Sequence, residues 1–280
     1  MAALGIPAAA LLFAVRAVVL TVGEEDPAVL EGVRALGADT VVTFARPSAA
    51  AAAAASAAGL QYVPFLSVRD VDRLVTDPEA LAALKAIPGI AGFHYRDEDV
   101  VEGYTPADEQ RRAYTILKAL FPAAPVLYAV RLDPVATDPA YLDGYFHPEF
   151  ADVVAPYFYP VGTTLLGDYQ ENDAWPERLA SLLMPLAARM PAGKTVLPVL
   201  QAFEQTGFPV GPDFGERQLE VYRAVWPDAA GIAAFWWGGG TAEPLTGLSD
   251  RPALASGFTR LFLGLAPKPL PRVVPERPSR

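Results

Sequence analysis

Three carboxylates, Asp97, Glu98 and Asp99, follow directly on the run Gly92-Phe93-His94-Tyr95-Arg96. Elsewhere Glu204 stands three residues beyond Gln201, Tyr157 and Tyr159 flank Phe158, and Trp236-Trp237 run into Gly238-Gly239-Gly240. Carboxylates serve as acid, base or nucleophile where a bond to oxygen is broken. Aromatic rings stack on the apolar faces of pyranoses, and an amide such as Gln201 both donates to and accepts from hydroxyls. Carboxylates, an amide, tyrosines and a Trp pair on one rim are the groups that sugar chemistry uses.

Other chemistries are poorly provided for. With no Cys and two His, zinc-finger, iron–sulfur, thiolate and multi-histidine metal sites are removed together. The net charge of −10, from 22 Lys+Arg against 32 Asp+Glu, argues against a nucleic-acid partner. No Walker or dinucleotide fingerprint is present, and the turn Gly23-Glu24-Glu25-Asp26 is acidic where a phosphate would need free amides. No cofactor is expected. Gly238 to Gly240 reads as a flexible loop that lets backbone approach a ligand, although its amides could also hold an anion. A magnesium site could draw on Asp70, Asp97 and Asp133.

The elements that must position these residues alternate short β-branched or aromatic runs with longer Ala/Leu-rich ones. The pattern predicts strands at Arg16–Thr21, Thr40–Phe44, Tyr62–Ser67, Ile90–Tyr95, Val126–Val130, Val153–Phe158, Val196–Gln201 and Gly231–Trp236. Helices are predicted at Pro27–Leu36, Pro47–Ala58, Asp70–Ile87, Pro106–Leu120, Pro139–Phe150, Asp173–Ala188, Asp213–Val225 and Arg251–Phe262. Eight such units in 280 residues point to a single (β/α)8 barrel over residues 16–266, with a doubly wound open sheet as runner-up. Residues 1–15 form an N-terminal apolar segment and residues 267–280, with five prolines, a tail. The apolar run from Ala3 is broken by Arg16, and no Lys or Arg precedes it as a secretory signal would require; no stable membrane span is expected. Lack of Cys suits either side of a membrane.

In a barrel the functional groups stand at the C-terminal ends of the strands. That rim holds His94 to Asp99 after strand four, Arg131-Leu132-Asp133 after strand five and Tyr157 to Pro160 after strand six. It continues with Gln201 to Glu204 after strand seven and Phe235 to Gly238 after strand eight. Tyr157 and Tyr159 share one face, and Trp236 and Trp237 face opposite sides if the strand persists. His94 is expected inside the barrel or orienting a neighbour, His147 in packing or at the surface, and Trp175 and Trp226 packed on outer helices. The candidate lysines Lys85, Lys118, Lys194 and Lys268 do not end strands, which disfavours a Schiff-base enzyme.

Gly92-Phe93-His94-Tyr95-Arg96-Asp97-Glu98 resembles the end of strand four in (β/α)8 glycoside hydrolases and their relatives. In the retaining clan the Glu at this place is the general acid/base, so the resemblance assigns that role to Glu98. Adjacent Asp97 and Asp99 favour its protonated form by like-charge repulsion. The sequence departs from the family twice. Asp99 stands where relatives carry Pro, and the strand-seven nucleophile position falls at Gln201, with Glu204 three residues on as a weaker nucleophile or base. The Asp97-Glu98 pair, with a Tyr and a Trp on the same rim, also resembles the substrate-assisted β-N-acetylhexosaminidases. There the substrate's acetamido oxygen is the nucleophile and an Asp orients it. The expected partner is a neutral or N-acetylated glycan, bound by His94, Tyr157, Tyr159, Gln201, Trp236 and Trp237.

A second class fits the same residues: a carbohydrate-binding barrel without catalysis, since the Gln201 amide cannot attack an anomeric carbon. The Asp97-Glu98-Asp99 cluster also has the plainer explanation of a solvated loop paired with Arg96.

Overall fold

A computed structural model describes residues 17–21, 26–96, 105–138, 140–164, 166–171, 173–229, 231–235 and 245–265. Eight parallel strands form its sheet: β1 (Ala17–Thr21), β2 (Thr40–Thr43), β3 (Gln61–Val63), β4 (Phe93–Arg96), β5 (Val126–Arg131), β6 (Val153–Tyr157), β7 (Thr195–Val196 and Val199–Gln201) and β8 (Ile232–Phe235). The order runs β3-β2-β1-β8-β7-β6-β5-β4. Bridges from Tyr62 to Ile90 and from Phe65 to His94 then join its two ends. His94 N donates to Pro64 O at 3.0 Å and Leu66 N to His94 O at 2.8 Å, so the sheet closes into the (β/α)8 barrel that the alternation predicts.

All eight predicted strands are present; most are shorter at one end or both, while β3, β4, β5 and β7 each reach one residue past a predicted end. They read as unbroken apolar runs because both faces are covered. One set of side chains, including Val18, Val42, Leu127, Ala155, Val199 and Ala233, fills the barrel. The alternate set, including Val41, Tyr128, Leu200 and Ala234, packs under the helices. Pro198 interrupts β7 because it has no N–H for the ladder, but its carbonyl still accepts from Ala233 N at 2.7 Å.

Helices α1 (Pro27–Ala35), α2 (Ala49–Ala57), α3 (Val68–Thr76), α4 (Pro78–Lys85), α5 (Ala107–Leu120), α6 (Asp133–Thr137), α7 (Tyr141–Tyr145), α8 (Trp175–Arg189), α9 (Phe214–Val225) and α10 (Pro252–Gly264) cover the sheet. Their starts are written locally. Asp26 caps α1, Ser48 caps α2, and Ser67 with Asp70 forms a reciprocal capping box on α3. The Ala-rich α2 buries Ala51, Ala52 and Ala55.

Two predicted helices differ. The span Asp70–Ile87 is two helices, because Pro78 lacks an N–H and Asp77 ends α3 while its side chain caps α4. The span Pro139–Phe150 is α7 and a 3₁₀ turn at Pro148–Phe150, preceded by α6. Gly144 and Pro148 both work against a continuous helix there. Residues 1–15 and the tail 267–280 lie outside the described residues, and among those described no helix is long and apolar enough to cross a membrane.

Candidate active site

The strand ends build a mouth lined by rings. Val42, Val63 and Ala233 are barrel-interior residues, and two positions beyond each lie Phe44, Phe65 and Phe235. Phe44 meets His94 at 6.1 Å and Phe235 at 5.7 Å, and Phe65 meets His94 at 5.5 Å. Tyr159 stacks on Phe235 at 5.1 Å, contacts Phe203 edge-on at 5.1 Å and lies 5.4 Å from Tyr157. Phe44, His94, Tyr159 and Phe235 come from the ends of alternate strands, as the side chains of one barrel layer do. Phe44, Phe65, Tyr159 and Phe235 are half-buried, so this layer is both the lid of the core and the floor of the mouth.

His94 is fully buried with its ring between Phe44 and Phe65. The register of β4 on β5 shifts between His94 and Arg96, a bulge that leaves Tyr95 pointing outward, where its hydroxyl donates to Phe150 O at 3.1 Å. Asp97, Glu98 and Asp99 follow this bulge in the sequence and lie outside the described residues, as do Trp236, Trp237 and Gly238 to Gly240.

Gln201 is fully buried and spends its amide on the protein. Oε1 accepts from Val161 N at 3.0 Å, and Nε2 donates to Val161 O at 2.7 Å and Phe203 O at 3.2 Å. The side chain of Gln218 on α9 pairs in turn with the Gln201 backbone, accepting from N at 2.9 Å and donating to O at 3.1 Å. Gln205 continues the fastening: its Oε1 accepts from Thr163 N at 2.7 Å, and a Cβ at Gly162, whose φ is +134°, would collide with that oxygen. The loop carrying Tyr159 is thus tied to the segment after β7. That segment, Phe203–Gln205, pairs antiparallel with Leu245–Gly247.

Glu204 lies between these ties and is engaged on both oxygens. Oε2 is 2.6 Å from Arg251 Nε, and Oε1 accepts from Val210 N at 3.3 Å. On β5 the periodicity carries Arg131 to the mouth, and its Nε donates to Asp133 Oδ2 at 2.6 Å. Arg131, Phe203 and Phe235 stand on the rim that the sequence predicts but carry no assigned role there, and Phe44 and Phe65 are not singled out by it. All but Phe203 were accessible through the period of two from interior positions.

The remaining sequence candidates have structural surroundings. Asp70 completes the α3 capping box and pairs with Arg46 at 3.0 Å. Among the described residues no three His, Asp or Glu side chains gather as a metal site. Trp175 is fully buried beside Phe214, and Trp226 stacks on Tyr222. His147 is half-buried against Phe150. Lys194 donates to Ala151 O at 2.6 Å, and burial lowers the pKa of its amine. Burial also pushes the Tyr222 phenol up, and its hydroxyl donates to Pro156 O at 3.0 Å.

No protein-family model and no curated protein matches the sequence. Among solved structures, a β-D-glucuronidase from Dictyoglomus thermophilum superposes with a TM-score of 0.58 at 12% identity, over 87% of this chain and 46% of that one. A GH2 β-galacturonidase from Eisenbergiella tayi bound to galacturonate gives 0.56 at 14%, over 85% of this chain and 46% of that one. An active-site mutant of Rhizomucor miehei β-1,3-glucanosyltransferase in complex with laminaritriose gives 0.56 at 15%, over 84% of this chain and 92% of that one. This chain therefore spans less than half of the glucuronidase and galacturonidase chains. It has the (β/α)8 barrel fold that these glycoside-processing enzymes share.

Proposed function

We propose that this barrel cleaves a glycosidic bond in a neutral or N-acetylated glycan, with Glu98 as general acid/base. The observation that carries the carbohydrate reading is the aromatic mouth, where Phe44, Tyr159 and Phe235 present half-buried rings at the C-terminal end of the strands. Rings so placed suit the apolar face of a pyranose. The fold neighbours, among them enzymes bound to galacturonate and to laminaritriose, support a sugar as the ligand.

The acid role rests on Glu98 following the strand-four end in the manner of glycoside hydrolases. With an N-acetylated glycan its carboxyl gives a proton to the bridging oxygen as the acetamido oxygen bonds C1 and the C1–O bond to the leaving sugar breaks; the carboxylate then takes a proton from the water that attacks C1 and displaces the acetamido oxygen. Gln201 cannot be the nucleophile and Glu204 is held by Arg251, which gives Glu204 a structural part in this reading. The substrate's own acetamido oxygen fits the vacancy, with Asp97 orienting it and Trp236 or Trp237 against the sugar. Gln201 also favours a second reading, a binding barrel without turnover.

Reducing-end release from a panel of neutral and amino-sugar glycans, measured on wild type, separates the two. Release supports the glycosidase; binding without release supports the second reading; neither binding nor release removes both.

A further inference from the structure

The described barrel strands contain two charged residues, Arg96 and Arg131, both at strand ends on the C-terminal rim. Arg131 follows Leu127 and Ala129 at the period of two, and both of these fill the barrel interior. It lies in register with Tyr157, whose ring is 5.4 Å from that of Tyr159. The Arg131 side chain is 24% exposed, and its Nε is 2.6 Å from Oδ2 of Asp133, whose side chain is 6% exposed. Asp133 Oδ1 is buried with no hydrogen-bond partner among the described residues.

Stability does not account for this pair. Removing a guanidinium and a carboxylate from water carries a desolvation penalty that their attraction often only offsets, and apolar residues of like volume often serve as well. The unmatched Oδ1 adds a further desolvation cost. What the pair supplies is a guanidinium whose direction is set by a buried anion, at a mouth otherwise lined by rings.

We propose that Arg131 contacts the glycan and donates hydrogen bonds to two neighbouring hydroxyls of a neutral pyranose, with Asp133 as the positioning residue that acts through it. This assignment rests on the carbohydrate reading above. A planar fork of N–H donors matches two adjacent oxygens. Asp133 already balances the charge of Arg131, and the chain as a whole carries a net charge of −10. Those surroundings disfavour an acidic sugar and leave hydroxyls as the matching groups.

The test is a chemical-shift titration of the whole chain with methyl glycosides of glucose, galactose and N-acetylglucosamine, and with glucuronate and galacturonate. Neutral sugars are expected to bind more tightly than their acidic counterparts. Arg131→Gln should weaken them about tenfold or more, the usual range for hydrogen bonds to a charged group. Deoxy sugars lacking a contacted hydroxyl should lose affinity for wild type and lose none further on Arg131→Gln. Asp133→Asn, which keeps an acceptor for Nε, should retain more affinity than Asp133→Ala. If Arg131→Gln fails to fold, Arg131→Lys, charged but without the planar fork, should show the same loss of deoxy sensitivity. Unchanged neutral-sugar affinity in folded Arg131→Gln would overturn the contact and leave the carbohydrate reading intact. Tighter binding of the acidic sugars would overturn the neutral-diol assignment, and no binding of any sugar would overturn both readings.

Discussion

Tyr159 lies flat on Phe235, with ring centroids 5.1 Å apart and planes within 16°, and so joins the ends of β6 and β8 across the mouth. A stacked aromatic pair contributes roughly 0.5–1.5 kcal/mol beyond its buried area. Tyr159→Phe keeps the stack and Tyr159→Ala removes it. Urea unfolding should therefore show near-native stability for the first and a loss of about 1 kcal/mol or more for the second, and glycan titrations near-native affinity for the first and weaker binding for the second, whose mouth lacks this ring. Equal affinity in the alanine variant would take this ring out of the site.

Gln201 ties the β6 loop to the segment after β7 through its buried amide. Gln201→Leu leaves Val161 N and the carbonyls of Val161 and Phe203 without that partner, so urea unfolding should report a loss of about 1–3 kcal/mol or more. Gln201→Glu cannot donate to the two carbonyls and should lose stability too, with no gain in hydrolysis. A stable Gln201→Glu with raised turnover would show instead that a nucleophile had been restored.

Glu204 is paired with Arg251, the two side chains being 13% and 46% exposed. The Arg251 end of the pair is open to solvent and a glutamine keeps the acceptor for Val210 N, so Glu204→Gln should cost only about 1 kcal/mol of stability. Turnover should stay near wild type. A fall of about two orders of magnitude or more, of the size general acid–base or nucleophilic roles produce, would return Glu204 to the chemistry.

At the N-terminal end of the barrel the Tyr114 hydroxyl donates to Asp152 Oδ1 at 3.0 Å, and Lys118 Nζ lies 3.0 Å from Oδ2. Burial, with the Asp152 charge beside it, pushes the Tyr114 phenol from 10.0 up to about 12. The folded state then holds this proton more tightly than the unfolded chain does. Its contribution is complete below pH 10 and is lost as pH rises from 10 towards 12. Thermal unfolding followed across that window should fall more steeply in wild type than in Tyr114→Phe; parallel curves would contradict the assignment.

Fold and site were legible to different depths. Every barrel strand could be read because burial on both faces writes a continuous apolar run, as Thr40-Val41-Val42-Thr43 shows with all four residues buried. Helix ends were legible where a cap was local, as with Ser67 and Asp70, and misread where Pro78 ended one helix by starting the next. The period of two from Val42, Val63, Ala129 and Ala233 leads to Phe44, Phe65, Arg131 and Phe235, to which residue chemistry alone assigns no role. Gln201 stands out in the sequence for its polarity, and its partners Val161, Phe203 and Gln218 come from segments that only the closed barrel brings together. The bulge between His94 and Arg96 cannot be read from alternation, and it breaks the parity by which the face of residue 98 would be inferred.

The leaving-group dependence of Glu98→Gln tests the acid assignment most directly. An aglycone that departs as a stable anion, such as dinitrophenolate, needs no proton, whereas a sugar leaving group does. Wild type and Glu98→Gln should therefore release dinitrophenolate from a dinitrophenyl glycoside with similar kcat/KM, which reports the bond-breaking step and not the later attack of water. On the corresponding glycan the variant should be slower by about two to four orders of magnitude. Equal losses of kcat/KM on both substrates, or undiminished cleavage of the glycan, would contradict Glu98 as the general acid.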